Sequence, residues 1–190
     1  MFDYLGILIS IILGLALTHL LFGCSRLIQL RHGVKIYWVQ LGWTLNVLIY
    51  VLALWWGMFW WKHLTVWTFQ VFLFLAAYSI VVFMMASLLF PVDFAEGADL
   101  EINFHQNRRW FFGLLLLALL LDIPETVAKG ASALRDVPRE YVAFLGVMIP
   151  ITLVALITSN RRAHVGLCLA AMVTLIGYLT LTSLDRIEIR

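Results

Sequence analysis

Asp122 and Glu125 are the residues of this sequence best suited to acid–base chemistry, because both lie in a long apolar stretch. Their spacing of three residues places both carboxylates on one face of a helix. Two neighbouring carboxylates can share a proton or bind a cation. Ionisable residues within a membrane span are costly and usually face the protein interior. The pair therefore predicts a proton or cation site inside a membrane.

The sequence between the two carboxylates leaves a second interpretation open. Ile123 precedes Pro124, and a residue before proline disfavours the helical conformation. If the helix unwound there, Asp122 and Glu125 would lie near the membrane surface. A continuous helix, counted from Trp110 at about 1.5 Å per residue, would instead place Asp122 roughly 18 Å into the membrane.

His19 and Asn46 complete the predicted pathway, which consists of Asp122, Glu125, His19 and Asn46. His19 lies roughly 9 Å from the end of its apolar stretch, and Asn46 falls between His19 and Asp122 in depth. On a shared interior face, these groups would form a polar ladder of the kind that proton and ion pathways use. Simpler interpretations stay open. A hydrogen bond between packed helices would satisfy His19, and Asn46 shares a small-residue face with Gly42.

Other chemistry finds little support in the sequence. The five histidines include no pair three or four residues apart, which argues against a metal or haem site. Cys24 and Cys168 stand alone at or inside apolar stretches and are expected to be packing residues. No nucleophile elbow, phosphate-binding glycine loop or nucleotide motif is present. We therefore predict no catalytic residue, no metal site and no bound cofactor.

The composition requires lipid as the solvent for much of the chain. Of 190 residues, 63% are hydrophobic and 13% are charged, and the mean hydropathy is +0.97. A soluble domain carries about 25% charged residues, and a helix needs about 20 apolar residues to cross a bilayer. We predict an all-α integral membrane protein, a single bundle of six transmembrane helices with short loops and no soluble domain. The predicted spans are residues 5–25, 36–59, 66–90, 110–127, 141–158 and 165–183.

The basic residues leave the orientation in the membrane undetermined. We call the face that holds residue 1 side A and the opposite face side B. The predicted spans place seven Lys and Arg residues on side B and six on side A, which is barely a bias. Trp60, Trp61 and Trp67 fall at the side A boundary, where aromatic residues commonly anchor a span. The longest loops, 91–109 and 128–140, could each form an interfacial helix or a lid.

Three functions are compatible with these features, and we favour the first. It is a homo-oligomeric channel or secondary transporter for an ion or small solute, which uses the intramembrane carboxylates. The second is a membrane-embedded enzyme or a lipid-, quinone- or haem-binding protein, with the acidic loop before Arg108 and Arg109 holding a polar headgroup. The third is a scaffold or accessory subunit for a protein partner that the sequence does not specify.

The net charge limits which partners are expected, and the arrangement of spans indicates a location. A net charge of +2 without basic clusters excludes a nucleic-acid partner. The expected partners are therefore the lipid bilayer and further copies of the chain. The expected location is a bacterial inner (plasma) membrane, since the arrangement resembles the small proteins of that membrane.

Overall fold

The structure, a computed structural model, describes residues 2–58, 61, 67–91, 97–128 and 139–184. Its main elements there are six α-helices, together with one isolated β-bridge. The helices are α1 (Phe2–Gln29), α2 (Trp38–Gly57), α3 (Phe69–Ser87), α4 (Leu100–Ala128), α5 (Arg139–Ile157) and α6 (Arg161–Leu184).

All six of these helices are long and apolar enough to cross a membrane. The hydrocarbon core of a bilayer is about 30 Å thick and needs about 20 residues of helix. Each predicted apolar stretch corresponds to one observed helix. The prediction of an all-helical membrane protein with six spans is therefore confirmed.

The fourth helix differs most from its predicted bounds. It begins at Leu100, ten residues earlier than predicted, and its 29 residues extend over about 43 Å. Asp99 sets this start, because its Oδ1 accepts hydrogen bonds from the backbone N–H groups of Glu101 (2.9 Å) and Ile102 (3.1 Å). Hydropathy misses the segment because charged side chains alternate with buried ones such as Phe104. The other long predicted loop lies mostly outside the described residues.

The helices close into a ring through their contacts. Within the described residues, α1 packs on α3, α3 on α4, α4 on α5, α5 on α6, α6 on α2 and α2 on α1. α2 also contacts α3 and α4, so it touches four of the other helices. It is the most buried span, because 44% of its 18-residue apolar window is buried, against 17% to 33% in the windows of the other helices. Polar side chains on α2 are therefore well placed to line the interior.

Aromatic and small residues pack α2 against α4 and α6. Trp43 is buried and makes edge-to-face contacts with Phe111 and Phe112, with ring centroids 5.8 and 5.0 Å apart. Each such contact adds about 0.5–1.5 kcal/mol beyond the burial of area. On α6, the Sγ atom of Cys168 lies in the space that a side chain at Gly42 would fill. This contact supports the interpretation of Cys168 as a packing residue.

Small residues recur at every fourth position of α1, a pattern that indicates close helix packing: Gly6, Ser10, Gly14 and Thr18. The close approach lies elsewhere on the helix. An added Cβ at Gly6 or Gly14 would meet no atom within 4 Å. At Gly23, by contrast, the ring of Phe90 occupies the space that a Cβ would need. α1 therefore comes into close contact at Gly23 with Phe90, which follows the end of α3.

On side B, the connections that precede α2 and α4 pair with each other. The backbone of Lys35 exchanges two hydrogen bonds with residues 98–100, at 3.0 and 3.1 Å. Gly97 N donates to Gly33 O at 2.7 Å, and Gly97 has φ +87°, a conformation that favours glycine. Lys35 Nζ also donates to Asp99 Oδ2 at 2.9 Å. This junction holds the α1–α2 hairpin against the α3–α4 hairpin.

Asp99 makes the junction sensitive to acid. Its hydrogen bond with Lys35 holds the pKa of the carboxyl below its ordinary value, and the backbone N–H groups of Ile102 and Glu101 act in the same direction. A carboxyl with a lowered pKa stabilises the folded state above its ordinary pKa, and the contribution is lost as the pH falls through the lowered value. We therefore expect the Tm of the detergent-solubilised protein to fall as the pH drops below about 4.

The matched variant for this prediction is Asp99→Asn, which keeps an oxygen acceptor for the start of α4 but cannot titrate. Thermal melts at neutral and acidic pH should show a smaller acid-induced fall in Tm for the variant than for the wild type. Equal falls in the two proteins would show that other carboxyls cause the acid sensitivity.

Candidate functional site

α4 carries Asp122 and Glu125 without a break. The helix continues through Pro124 to Ala128, so the interpretation in which it unwinds at Ile123 is wrong. Proline removes only its own N–H from the helix, and neighbouring helices commonly compensate for this in membrane proteins. Glu125 is 4% exposed and Asp122 is partly buried. Asp122 lies about 9 Å from the end of α4, counted along the axis, in the side A half of the bundle.

Two tyrosines connect Asp122 to the neighbouring helices. Tyr78 of α3 donates its hydroxyl proton to Asp122 Oδ1 at 3.2 Å. The hydroxyls of Tyr78 and Tyr50, on α2, lie 2.7 Å apart. Because Tyr78 has one hydroxyl proton and gives it to Asp122, Tyr50 is the donor in the second bond. The result is a directed chain of hydrogen bonds from α2 through α3 to α4.

Trp61 holds the second carboxylate. Its Nε1–H donates to Glu125 Oε1 at 2.7 Å, and its side chain is fully buried. An indole N–H that bonds a carboxylate makes a short, charge-assisted hydrogen bond. The prediction of Trp61 as an anchor at the membrane surface is therefore wrong, because this ring lies inside the protein. Trp60 lies outside the described residues.

Tyr141 of α5 adds a third hydroxyl. It accepts a hydrogen bond from Thr126 Oγ1 at 3.2 Å and lies close enough to Asp122 to interact with its carboxylate. Four helices therefore meet at these side chains. We call the following residues the carboxylate network: Tyr50, Trp61, Tyr78, Asp122, Glu125 and Tyr141.

An apolar groove of about 550 Å³ opens between α4 and α5 beside the network. Thr126 and Tyr141 contribute the hydroxyl groups of its lining. The rest of the lining is Ile123, Val127, Val142, Leu145, Gly146, Ile149 and Pro150. Because Tyr141 both lines the groove and interacts with Asp122, the groove lies next to the carboxylate network.

His19 and Asn46 are not part of the carboxylate network. Among the described residues, no hydrogen bond joins either of them to Asp122 or Glu125. The Nε2 atom of His19 is buried and has no partner there. Asn46 Nδ2 donates to the carbonyl of Gly42 on its own helix at 3.2 Å. Of the four residues predicted to form a polar ladder, the structure therefore brings only Asp122 and Glu125 together.

A row of polar side chains on α2 leads instead from Tyr50 towards side B. Gln40, Trp43 and Asn46 precede Tyr50 at spacings of three or four residues, so all four share one buried helix face. Gln40 Nε2 donates to the carbonyl of Leu89. Three other polar atoms of this row have no partner among the described residues: Gln40 Oε1, Trp43 Nε1 and Asn46 Oδ1. We call these four residues the α2 row, which extends over about 15 Å.

Tyr50 and Tyr78 are not among the residues predicted for the site, although the sequence contains a signal for them. Tyr50 and Tyr78 lie seven and nine residues inside their helices, whereas aromatic anchors lie at the ends of spans. A hydroxyl at that depth needs a hydrogen-bond partner. Trp61 gave no such signal, because its contact with Glu125 depends on how the connection between α2 and α3 folds.

In the parts of the chain that the structure describes, no group of three or more His, Cys, Asp or Glu side chains could hold a metal ion. Comparisons with protein-family models, curated proteins and solved structures found no match. The function must therefore be inferred from the carboxylate network and the α2 row.

Proposed function

We propose that this protein is a channel that conducts protons across the membrane, with Asp122 as the residue that binds and releases each proton. The observation that supports this proposal most is the chain Tyr50–Tyr78–Asp122, in which each hydroxyl donates to the next group. Carboxylates within membrane spans commonly serve as proton relays. Hydrogen-bonded hydroxyls beside such a carboxylate can pass a proton to it.

Protonation of Asp122 would reverse the direction of the hydrogen-bond chain. In the ionised state, Asp122 accepts from Tyr78, which accepts from Tyr50. When a proton reaches Tyr50, that residue passes its own proton to Tyr78, and Tyr78 passes its proton to Asp122. Each hydroxyl again carries one proton, and Asp122 now donates to Tyr78. One proton has thus moved along the chain to Asp122. Once Asp122 has released this proton towards side A, rotation of the two hydroxyls resets the chain.

The α2 row supplies the continuation towards side B. Its polar atoms are buried, and successive groups are separated by about 4.5–6 Å along the helix axis. One bridging water molecule spans such a separation. Gln40 Oε1 and Asn46 Oδ1 are acceptors without a partner among the described residues, and acceptors of this kind stabilise a passing hydrated proton. The proposed path therefore runs from Asp122 through Tyr78 and Tyr50 to Gln40.

The oligomeric state and the location belong to the same proposal. Six helices are few for a transport protein, so we propose that copies of the chain associate, with one proton path in each copy. Six apolar helices make an integral membrane protein, and we propose that its membrane is the bacterial inner membrane, where proton gradients are maintained.

Proton flux into vesicles tests the proposal. Purified protein is reconstituted into liposomes that contain a pH-sensitive dye, and a potassium gradient with valinomycin sets the membrane potential. Wild-type vesicles should acidify faster than protein-free vesicles. Tyr78→Phe removes the middle hydroxyl of the chain but keeps the buried ring, so it should slow the flux about tenfold or more.

Tyr4→Phe is the matched control, because Tyr4 is 73% exposed on α1 and removal of its hydroxyl leaves the carboxylate network intact. Its flux should equal that of the wild type. Wild-type vesicles that acidify no faster than empty ones would refute proton conduction. Equal fluxes from the wild type and Tyr78→Phe would refute the tyrosine path.

The groove between α4 and α5 favours a second candidate, a protein that binds a lipophilic ligand. Its volume of about 550 Å³ lies within the range of ligand pockets, about 300–1,000 Å³. Tyr141 at its polar end could hydrogen-bond a quinone or lipid headgroup. Mass spectrometry of extracted lipids should then find one molecule enriched in the wild type and depleted in Gly146→Leu, which fills the groove. An identical lipid profile in both proteins would exclude this candidate.

A further inference from the structure

Arg108 of α4 is a buried cation. Its side chain is 8% exposed, and its Nε has no hydrogen-bond partner among the described residues. A guanidinium stays protonated at any physiological pH. A buried charge is strongly unfavourable unless an opposite charge or several hydrogen bonds compensate for it. The burial of Arg108 therefore indicates an anionic group close to it.

The described carboxylates do not provide this anion. None of them lies within 4.0 Å of Arg108. Glu101 is seven residues earlier on the same helix face, about 10 Å away along the axis. It already pairs with Arg161 at 3.1 Å and with Lys35 at 3.9 Å. Asp99 is bonded to Lys35 at 2.9 Å. Asp99 and Glu101 are thus already paired with Lys35 and Arg161.

The surroundings of Arg108 add further polar groups without partners. Phe104 and Phe112, one turn before and after it on α4, both contact the ring of His164, at 5.3 and 5.7 Å between centroids. His164 is fully buried, and its Nε2 bonds the carbonyl of Thr158 at 3.0 Å. Its Nδ1 has no partner among the described residues.

Tyr37 closes the same aromatic cluster. Its ring lies 5.4 Å from Phe104 and 6.0 Å from His105, between centroids. Its hydroxyl has no partner among the described residues, and burial raises the pKa of Tyr37, so the hydroxyl remains a donor. Tyr37 also precedes α2, whose N-terminal N–H groups add positive potential. An anion near Arg108 would therefore find further donors.

The level of Arg108 in the membrane suggests what that anion is. Trp38, the first residue of α2, and Trp110, at the side B start of the apolar part of α4, are 77% and 73% exposed. Exposed tryptophans of membrane proteins collect at the headgroup level. Arg108 lies two residues before Trp110, about 3 Å along the axis. The anionic group that is abundant at this level is the phosphate of the phospholipid headgroups.

We propose that Arg108 binds a phosphate group at the side B surface, and that a membrane phospholipid supplies it. Arginine suits this ligand because its planar guanidinium donates two parallel hydrogen bonds to phosphate oxygens. This site is distinct from the carboxylate network, which lies in the side A half of the bundle. Its test does not depend on proton conduction.

The experiment measures the Tm of the purified protein in detergent, with added phosphatidylglycerol, phosphatidylcholine or inorganic phosphate. Phosphatidylglycerol should raise the Tm of the wild type by several degrees. It should do the same for Arg109→Gln, which removes an exposed neighbouring charge. In Arg108→Gln the shift should disappear, because the apparent affinity should fall by at least about tenfold. If that variant does not fold, Arg108→Lys, which keeps the charge and loses the paired donors, should show a reduced shift.

The remaining arms separate the sources of the phosphate. A full shift with inorganic phosphate would support the phosphate site and overturn its assignment to a lipid. Equal shifts in Arg108→Gln and the wild type would overturn the site. Asp93 and Glu96 lie outside the described residues. If a lipid-dependent shift were absent from the wild type and appeared in the double variant Asp93→Asn, Glu96→Gln, those carboxylates would be the partners of Arg108, and the proposal would fail.

Discussion

Asp122→Asn should reduce proton flux into reconstituted vesicles by about a hundredfold or more, the effect expected when a proton-transfer group is lost. The asparagine keeps a carbonyl oxygen in the place of Oδ1, so it still accepts the hydrogen bond from Tyr78. It cannot take up the proton, however. The hydrogen-bond chain from Tyr50 then ends at an amide that cannot be protonated, so the proton flux falls although the fold is kept.

Glu101→Gln is the matched control for this variant. It removes a carboxylate from the opposite end of the same helix, where Glu101 pairs with Arg161. Its flux should stay within about twofold of the wild type, because surface ion pairs contribute little. The Tm of both variants should be measured to show that they fold. A folded Asp122→Asn protein with wild-type flux would remove Asp122 from the proton path.

Gly23→Ala should destabilise the protein by about 1–3 kcal/mol, as overpacking of a well-packed interior does. Phe90 is 2% exposed, and its ring occupies the position that the new methyl group would take. Its side chain cannot swing into solvent, so α1 and the end of α3 must separate. The measurement is the Tm in detergent, which should fall by several degrees.

Gly14→Ala separates this contact from the general effect of the substitution on a helix. An added Cβ at Gly14 would meet no atom within 4 Å, so alanine should leave stability unchanged or raise it by up to about 1 kcal/mol. Adding Phe90→Leu to Gly23→Ala should recover part of the lost stability, since the smaller side chain makes room. Equal Tm values for the two glycine variants would show that Phe90 does not pack on Gly23.

Six spans could be predicted from the sequence because long apolar runs are stable in lipid. Within such a run, a helix forms a hydrogen bond for nearly every backbone N–H and C=O group. The start of α4 could not be predicted in this way. Its first turns depend on the Asp99 cap and on the pairing of Lys35 with residues 98–100, which are contacts between distant segments.

The candidate site was predictable only in part, for a related reason. Asp122 and Glu125 could be found because a carboxylate inside an apolar run is conspicuous. Whether the helix continues through Pro124 depends on contacts with neighbouring helices. The conformational preference of a residue before proline does not take such contacts into account. Tyr50 and Tyr78 become partners only when α2 and α3 meet. His19 was predicted from its type and its depth in an apolar stretch, and in the described residues no hydrogen bond joins it to the carboxylate network.

The contact between α2 and α6 has a consequence for biosynthesis. α2 carries the polar residues Gln40 and Asn46, yet the helix that completes its packing is made more than one hundred residues later. Chains are synthesised at about 5–20 residues per second. For several seconds before α6 is made, α2 is therefore in contact with lipid or an insertion factor instead. During that interval the nascent protein exposes hydrogen-bonding groups to a solvent that cannot satisfy them. We expect truncation before α6 to yield a chain that is degraded rapidly, even though its first five spans can each insert.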